Sequence, residues 1–481
     1  MRKVPLLFLL FFPLFCSAAH WDVSTSQELH DALSKAAAGD EIVISPGTYE
    51  GTFSIPTSLS LRGSKDSIID AAGKGSCLEI KASGIQVSGL TLKNYGADLY
   101  ERNSGVLINE GSEDILLKDL KIEGTGFGIR ADKSEKIHIE GCEIRGNKRK
   151  HVLDRGDGVY FNYVKDAVLQ NNKVLYTRDG FYFENTDRTQ SSGNYFAALQ
   201  YGIHYMYTRG DSAWNNEAEA CIGGYALMSS EKIRLFDNLS KRTVEFGVLL
   251  NETEASEVSN NHVERVKNPR GKPSLDTEGK GIFIYGGGIN TVEGNSFEAC
   301  DIGAGVAMGG EGTVLHNNRF VGNRLQVRYI GSSSVEWSRE GVGNYWSSYQ
   351  GWDLNQDGVG DIPYQPNDSL DRLFWLYPQS RFLMDSPLVV FLRFITAQFQ
   401  LDKGKGIVDS NPIMHDPIST NKRSPMNAVE CLNVSFKPRI TDGPRMTISL
   451  SVAQGRIRRI DRTQRRGKIY GDQEHCRPSE V

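Results

Sequence analysis

The chain has 481 residues, of which 39% are hydrophobic, 24% are charged and 50 are glycines. This composition is typical of a folded, turn-rich protein and excludes an intrinsically disordered one. Residues 417–481 hold 13 Lys or Arg and 6 Asp or Glu, a surplus of +7, which leaves −11 for residues 1–416 out of a net charge of −4. An acidic body of this kind argues against nucleic acid as the main partner.

An export signal is predicted at residues 1–19. Arg2 and Lys3 give it a positive start, an apolar run follows at residues 6–15, and a small-residue sequence, Ser-Ala-Ala, ends it. The apolar run is too short for a stable membrane span, which disfavours a retained anchor. We therefore expect an exported, soluble chain that begins near His20.

The first structural element of the mature chain is predicted to be a capping helix. With Ser26 as the predicted N-cap, the sequence places Leu29, Leu33 and Ala36 on one helical face. The end of a stack of coils would otherwise expose unpaired backbone and apolar side chains. We expect this helix to cover that end.

A coil of about 22 residues repeats through most of the chain. Short strands led by glycine recur at steps of 22, 22, 22, 23, 34 and 22 residues, and the long step contains a polar loop around residues 267–279. Weaker copies begin at Gly84, Gly105 and Gly128. The seven clear strands begin at Gly158, Gly180, Gly202, Gly224, Gly247, Gly281 and Gly303.

A second repeat, of asparagines, keeps the same step in a different phase. In stacked coils, an inward Asn amide hydrogen-bonds the Asn above and below it and satisfies buried turn backbone. Together the two repeats predict an all-β fold, a right-handed parallel β-helix over residues 20–342, because crossovers between parallel strands are right-handed. The asparagines are Asn172, Asn194, Asn216, Asn238, Asn261, Asn295 and Asn318.

Alternation along the repeated strands predicts which side chains leave the core. One outward column contains His204, and the next contains Met206 and Met228 on adjacent strands. An imidazole and two thioethers suit copper, Cu(I) especially, and the three residues are predicted to form a copper site. Two other interpretations stay open: packing residues beneath a loop, and a sugar-binding groove with an aromatic wall. That wall would be formed by Tyr201, Tyr205 and Tyr207.

Residues 343–416 are predicted to form a C-terminal segment with an Asp/Asn/Gly loop and a helix. The loop matches a calcium-binding loop, although Tyr364 stands where the bidentate Glu is expected. A metal-free turn held by Asx hydrogen bonds is the alternative. The predicted calcium ligands are Asp353, Asn355, Asp357, Val359 and Asp361.

The helix of this segment is predicted to begin with Ser386 as its N-cap and Pro387 at its first position. About a dozen mostly apolar residues are too few to span a membrane, so we expect the helix to dock against a protein partner. A cap over the last coil is the alternative. The docking residues are predicted to be Leu388, Phe391, Leu392, Ile395 and Phe399. Residues 417–481 are expected to be a disordered basic tail.

Four stretches of the sequence together resemble the NosD family of periplasmic nitrous oxide reductase maturation proteins. They are Gly-Asp-Gly-Val-Tyr at 156–160, Arg-Asp-Gly-Phe-Tyr-Phe at 178–183, Tyr-Gly-Ile-His-Tyr-Met-Tyr at 201–207, and the tryptophan-rich run at 343–364. The resemblance covers about residues 20–416. His204, Met206 and Met228 fall within the matching part, which strengthens the copper prediction.

The resemblance implies a non-catalytic accessory protein with a β-helix of the carbohydrate-binding/sugar-hydrolase type. It would work with an ABC transporter made of the permease NosY and the ATPase NosF, and the helix of residues 387–399 would dock against the permease. Copper would come from the lipoprotein chaperone NosL, for assembly of the copper-sulfur centre of nitrous oxide reductase. The chain has no G-x-x-x-x-G-K-[ST] sequence, so ATP hydrolysis would belong to a separate subunit.

The main alternative function is a polysaccharide lyase or epimerase, and a glycan-binding protein is a further one. Such an enzyme needs acids clustered with a basic side chain, and Asp157, Arg178, Asp179 and Glu184 could supply them. Three of these residues precede the glycine of their coil, where acids often serve turns and buried pairing. The fold alone does not separate these functions.

Overall fold

The computed structural model describes residues 18–272, 277–331, 333–366, 377, 383, 386–398, 406–417, 427–436 and 446–453. The chain divides into two compact units between Met414 and His415. Residues 1–17, which include most of the predicted export signal, lie outside the described residues.

The first unit is a parallel β-solenoid, which confirms the predicted fold class. Each coil contributes one short strand to each of three sheets, which we call sheets A, B and C, and each strand pairs in parallel with the strand of the coil before it. Along the chain the coils run from sheet A to sheet B to sheet C.

The 13 described strands of sheet A are His20–Val23, Asp40–Ile44, Leu59–Arg62, Ile85–Ser88, Glu113–Lys118, Glu135–Glu140, Val168–Gln170, Gln190–Ser192, Ser212–Trp214, Arg234–Phe236, Glu257–Ser259, Thr291–Glu293 and Val314–His316. The 13 described strands of sheet B are Gly47–Glu50, Ser67–Asp70, Thr91–Lys93, Lys121–Glu123, Glu143–Arg145, Lys173–Leu175, Tyr195–Ala197, Glu217–Glu219, Leu239–Lys241, His262–Glu264, Ser296–Glu298, Arg319–Val321 and Tyr345–Trp346.

The 12 described strands of sheet C are Phe53–Ile55, Leu78–Ile80, Ser104–Ile108, Phe127–Asp132, Val159–Asn162, Phe181–Glu184, Tyr201–Met206, Gly223–Met228, Phe246–Asn251, Lys280–Tyr285, Ile302–Ala307 and Leu325–Ile330. Single turns of 3₁₀ helix lie at Val152–Asp154 and Gly310–Gly312.

The glycines that lead the sheet C strands are required by the close stacking of the coils. A Cβ atom on Gly158 would lie 2.5 Å from the carbonyl oxygen of Gly180, and one on Gly281 would lie 2.5 Å from that of Gly303. Real Cβ atoms do not approach other atoms so closely. The glycine repeat therefore marks the positions at which the backbones of successive coils are in contact.

The asparagine ladder forms as predicted, at the turn that precedes the sheet B strands. Asn172 Nδ2 donates to Asn194 Oδ1 at 3.0 Å and to the carbonyl oxygen of Ile139 at 3.0 Å, and the backbone N–H of Asn172 donates to the same Asn194 Oδ1 at 2.9 Å. The pattern recurs from coil to coil and adds an eighth member, Asn344. The members Asn172, Asn194, Asn216, Asn238, Asn261, Asn295, Asn318 and Asn344 are all buried.

The N-terminal end of the solenoid is covered by helix α1, Ser26–Lys35. It buries Leu29 and Leu33, as predicted. The N-cap is Thr25 and not Ser26: the Thr25 side chain accepts from the backbone N–H of Glu28 at 3.2 Å, and the Glu28 carboxylate accepts in return from Ser24. This reciprocal pairing resembles a capping box and fixes the start of the helix one residue earlier.

The C-terminal end of the core is covered by aromatic side chains. Trp346 stacks on Phe320 with ring centroids 4.3 Å apart and an interplanar angle of 9°, and Trp337 lies parallel to Trp346. Asp409 ends the asparagine ladder, because its Oδ2 accepts from the backbone N–H of Asn344 at 2.7 Å, from Asn344 Nδ2 at 3.2 Å and from Trp346 Nε1 at 2.7 Å.

A short parallel pair of strands, Val335–Glu336 and Ile407–Val408, brings Asp409 to the ladder. Burial raises the pKa of Asp409, although the hydrogen bonds from Trp346 and Asn344 oppose this. The long tryptophan-rich motif is therefore the C-terminal cap of the solenoid.

Helix α2, Pro387–Gln398, begins where the sequence predicts. Ser386 Oγ accepts from the backbone N–H of Val389 at 3.3 Å. Val389 is buried against Ile302 and Leu325 of sheet C. Within the described residues, no helix is both long and apolar enough to cross a membrane.

The second unit contains an antiparallel pair of strands, Asn427–Phe436 and Met446–Ala453. This differs from the disordered tail expected for residues 417–481. The second strand alternates apolar and polar residues, and both strands carry β-branched side chains, a local pattern that favours strand pairing despite the basic composition around it.

The solenoid places its three longest insertions at one turn, between sheets B and C. They comprise residues 94–103, 146–158 and 265–279. Within the second insertion, Arg155 Nε donates to the carbonyl oxygen of Lys150 at 3.0 Å. The sheet C strands that follow the insertions keep their parallel pairing, and the described parts of the insertions lie along one edge of this sheet.

We predict that Asp409→Ala destabilises the solenoid by about 3 kcal/mol, because two donors of Asn344 and the Trp346 N–H lose a buried acceptor. Asp409→Asn keeps one acceptor oxygen at this position and should cost clearly less. Urea unfolding followed by tryptophan fluorescence measures both values. Equal losses in the two variants would contradict the capping role.

A buried carboxyl group inside the solenoid predicts a pH dependence of stability. Asp211 Oδ2 accepts from Thr186 Oγ1 and its Oδ1 from the backbone N–H of Thr189, both at 2.6 Å. Burial raises the pKa of Asp211 to about 7. The unfolded group releases its proton near pH 3.9, so this residue lowers the stability as the pH rises from about 4 through 7.

Asp211→Asn should remove that loss, since an amide fits the same partners without a charge. The difference in the free energy of unfolding between Asp211→Asn and the parent chain should therefore grow, in favour of the variant, by about 2–3 kcal/mol between pH 5 and pH 8. Urea unfolding at the two pH values tests this. Parallel pH profiles for the two proteins would show that Asp211 does not titrate in this range.

Candidate functional site

The outer face of sheet C carries the predicted site. Register pairing aligns Tyr160 with Tyr182, Tyr182 with His204, and His204 with Ala226. The neighbouring column aligns Glu184 with Met206 and Met206 with Met228. Both outward columns therefore have the composition and the order that the repeat predicts.

Met206 and Met228 are direct neighbours across two parallel strands. Both side chains are half-buried, and Met228 packs against an outer apolar cluster of Ala226, Phe246 and Leu249. Parallel strands lie about 4.8 Å apart, so two flexible thioethers at paired positions can reach one ligand. Met308 is one residue past the column, because Ala307 and not Met308 pairs with Tyr285.

His204 lies on the same face, two residues before Met206, but it is almost fully covered. Its ring packs edge-on against Tyr182, with centroids 4.7 Å apart, and against Tyr201, at 5.2 Å. Nδ1 of the ring lies 3.0 Å from Asp179 Oδ2. Nε2 is buried and has no hydrogen-bond partner among the described residues.

An ion pair between half-buried Arg178 and fully buried Asp157 supports this arrangement. Arg178 binds Asp157 through both ends of its guanidinium, with Nε–Oδ1 at 2.8 Å and Nη2–Oδ2 at 2.7 Å, and its Nε lies 3.8 Å from Asp179 Oδ2. The same guanidinium lies over the Tyr182 ring, 5.2 Å from its centroid.

Burial raises the pKa of Asp157 to about 6 against the opposing effect of Arg178. Burial likewise raises the pKa of Tyr182, to about 12, and the charge of Glu184 adds to this. The site therefore holds charged groups in a largely water-free surrounding, where their interactions are strong.

The aromatic wall differs from its prediction. Tyr205 points into the core, where it is fully buried, and Tyr207 is exposed on the turn that follows the strand. The aromatic rings beside His204 are instead those of Tyr182 and Tyr201. The reason is the alternation of the strand, which sends positions 203 and 205 inward and positions 204 and 206 outward.

Each residue of the enzymatic alternative has a side-chain partner. Asp157 and Arg178 form the bidentate pair, Asp179 contacts His204, and Glu184 Oε2 accepts from Tyr160 Oη at 2.6 Å. Sequence reasoning did not connect Asp179 with His204, because their contact spans 25 residues and crosses from one coil to the next.

The predicted calcium ligands form a turn in which carboxylates accept from backbone N–H groups. Asp353 Oδ2 accepts from Gly358 at 2.9 Å, Asp357 Oδ1 from Val359 at 2.8 Å, and Asp361 Oδ2 from Leu354 at 2.7 Å. The bond from Val359 to Asp357, and a second one from the backbone N–H of Asp357 to Asn355 Oδ1, each join residues two positions apart and are of the Asx kind that the metal-free alternative requires. In the part of the chain that is described, no three His, Cys, Asp or Glu side chains are grouped as metal ligands. Calcium stays a prediction.

The predicted docking residues lie on helix α2. Leu388, Phe391 and Leu392 are 66%, 58% and 40% exposed, and Ile395 is partly exposed. Phe399 lies outside the described residues. Since Val389 makes the buried contact with sheet C, the helix exposes a contiguous apolar surface, and docking stays a prediction.

Comparison with known families gives two matches. Residues 147–351 match the family described as "Periplasmic copper-binding protein (NosD)", and residues 65–213 match "Right handed beta helix region". The first match includes His204, Met206 and Met228, together with the ion pair behind them.

Two curated proteins are similar over most of the chain, and both are named "Probable ABC transporter binding protein NosD". The protein of Stutzerimonas stutzeri is 38% identical over 387 residues, which is 79% of this chain and 88% of that protein. The protein of Pseudomonas aeruginosa is 36% identical over 390 residues, 80% of this chain and 91% of that protein.

Solved structures with a similar fold are distant in sequence. The surface adhesin PfbA of Streptococcus pneumoniae has a TM-score of 0.51 at 11% identity and covers 64% of this chain and 89% of its own. A lacto-N-biosidase from Eubacterium ramulus has a TM-score of 0.50 at 12% identity and covers 63% and 68%. An adhesin and a glycosidase share the architecture, so the likeness shows the fold alone.

Proposed function

Because the chain belongs to the NosD family, we propose that it is the periplasmic accessory protein of an ABC transporter and binds Cu(I) at His204, Met206 and Met228. The copper would be delivered by the lipoprotein chaperone NosL and used to assemble the copper-sulfur centre of nitrous oxide reductase. The transporter would consist of the permease NosY and the ATPase NosF. In this scheme copper is cargo, bound and then passed on.

The observation that carries the proposal is the unpartnered Nε2 of His204 beside the paired thioethers. Nε2 is buried without a hydrogen bond, and the neighbouring column supplies Met206 and Met228 on adjacent strands. Thioether and imidazole donors favour Cu(I) over hard cations such as calcium or magnesium. They carry no negative charge of their own, which suits a site that must release its metal.

Binding requires a small rearrangement of the site. The His204 ring is turned towards Asp179 and Tyr201, near the start of its strand, whereas Met206 lies two residues further along. Methionine side chains are unbranched and have several rotatable bonds, so the thioethers can move to the imidazole at low cost. The rings of Tyr182 and Tyr201 would then shield the bound ion from water.

The enzymatic alternative would use the ion pair as acid and base. Asp157 and Arg178 are paired with each other, and Asp179 contacts His204, which favours a supporting role for these residues. Incubation with uronic-acid polymers tests the alternative. Formation of unsaturated or epimerised products by the purified chain would favour it over the accessory role.

We predict that the purified protein binds one Cu(I) anaerobically, in competition with a chromophoric chelator. His204→Ala, Met206→Leu and Met228→Leu should each weaken the affinity at least about tenfold, or about 1.4 kcal/mol, because each removes one ligand. Met308→Leu is the matched control: its methionine is exposed and outside the column, and its affinity should be unchanged. Equal binding by all five proteins would exclude the site.

For the transporter, we propose that the exposed face of helix α2 docks against the permease. Leu388→Glu combined with Phe391→Glu should abolish co-purification with NosY and NosF, because two charges enter an apolar contact. Ile289→Glu is the control, since Ile289 is 75% exposed and lies elsewhere on the solenoid. Undiminished co-purification of the double variant would exclude docking through this helix.

A further inference from the structure

We propose that Asp179 fixes the tautomer of His204 and thereby presents the Nε2 lone pair of the ring as a preformed ligand. Asp179 would act as a positioning residue, held in turn by Arg178 and Asp157. The identity of the metal rests on the proposed function. The tautomer itself is a property of the metal-free protein and can be tested without copper.

The two oxygens of Asp179 have different partners. Oδ1 accepts from the backbone N–H of Tyr201 at 3.1 Å, and Oδ2 lies 3.0 Å from Nδ1 of His204. An ionised carboxylate only accepts hydrogen bonds. The hydrogen bond to Oδ2 therefore places the proton of the imidazole on Nδ1.

The second ring nitrogen points to the same tautomer. Nε2 is buried and has no acceptor or donor within hydrogen-bond distance among the described residues. A proton on Nε2 would be a buried N–H without an acceptor, which is costly. With the proton on Nδ1, Nε2 keeps a lone pair, and this is the state of a histidine that binds a metal with a carboxylate behind it.

The coil below holds Asp179 in place. Asp157 Oδ1 accepts from the backbone N–H of Asp179 at 3.1 Å as well as from Arg178 Nε. Arg178 is fixed by its bidentate pair with Asp157 and by the Tyr182 ring below its guanidinium. Two carboxylates face one guanidinium, so this cluster carries a surplus negative charge that would attract a cation to the neighbouring imidazole.

The substitution Asp179→Asn keeps the shape of the side chain but removes its charge and replaces one acceptor oxygen with an NH₂ donor. In Asp179→Asn, the backbone N–H of Tyr201 still needs an acceptor, so the amide oxygen should take the Oδ1 position. The amide NH₂ then faces Nδ1 of His204, which must accept. The proton of the ring should move to Nε2, and the lone pair that binds the metal should be lost.

The experiment measures the tautomer by long-range ¹H–¹⁵N NMR of the full chain labelled with ¹⁵N-histidine and free of metal. His204→Gln assigns the signal. Tyr201→Phe is the matched control, because it keeps the ring beside His204 and the backbone N–H. We expect Nδ1–H in the parent chain and in Tyr201→Phe, and Nε2–H in Asp179→Asn. Nε2–H in the parent chain, or an unchanged tautomer in Asp179→Asn, would overturn the proposal.

A copper measurement on the same samples keeps the two proposals distinct. Asp179→Asn should bind Cu(I) about 10- to 100-fold more weakly than the parent chain. If Asp179→Asn melts far below the parent chain, the tautomer of His204 measured in the parent chain still tests the proposal, because Nε2–H there would overturn it. If the tautomer inverts but His204→Ala leaves copper affinity unchanged, the proposed copper site fails and the positioning of the ring stands.

Discussion

The column of stacked asparagine amides determines the geometry of the molecule. Each member donates to the next coil and to a carbonyl of the coil before, so neighbouring coils cannot slip without breaking several buried hydrogen bonds. A slip by one residue would also turn each outward side chain into the core. Because the ladder fixes this register, residues one coil apart, such as Met206 and Met228, lie side by side.

Much of the fold could be predicted because two residue types, glycine and asparagine, repeat independently with the same step. Gly158 and its successors mark the turn where coils touch, and Asn172 and its successors mark the turn that the ladder satisfies. The pleat then determines which residues face outward. The contents of the two outward columns follow from these local rules alone.

Features that depend on contacts between distant residues could not be read from the repeat. Asp409 terminates the ladder from outside it, and the direction of the His204 ring is set by Asp179 in the coil below. The N-cap differed by one residue, at Thr25, since Ser24, Thr25 and Ser26 are chemically equivalent until Glu28 selects among them. In each case a partner decides between equally suitable groups.

The position of Asp409 has a consequence for the order of folding. Its carboxylate closes a ladder whose last asparagine is 65 residues earlier in the chain. Coils of a solenoid contact mainly their neighbours, so they can form in succession as the chain is synthesised. The backbone N–H of Asn344 and the indole N–H of Trp346, however, lack this acceptor until residue 409 has been synthesised. Completion of the solenoid thus waits for a segment synthesised well after the coils themselves.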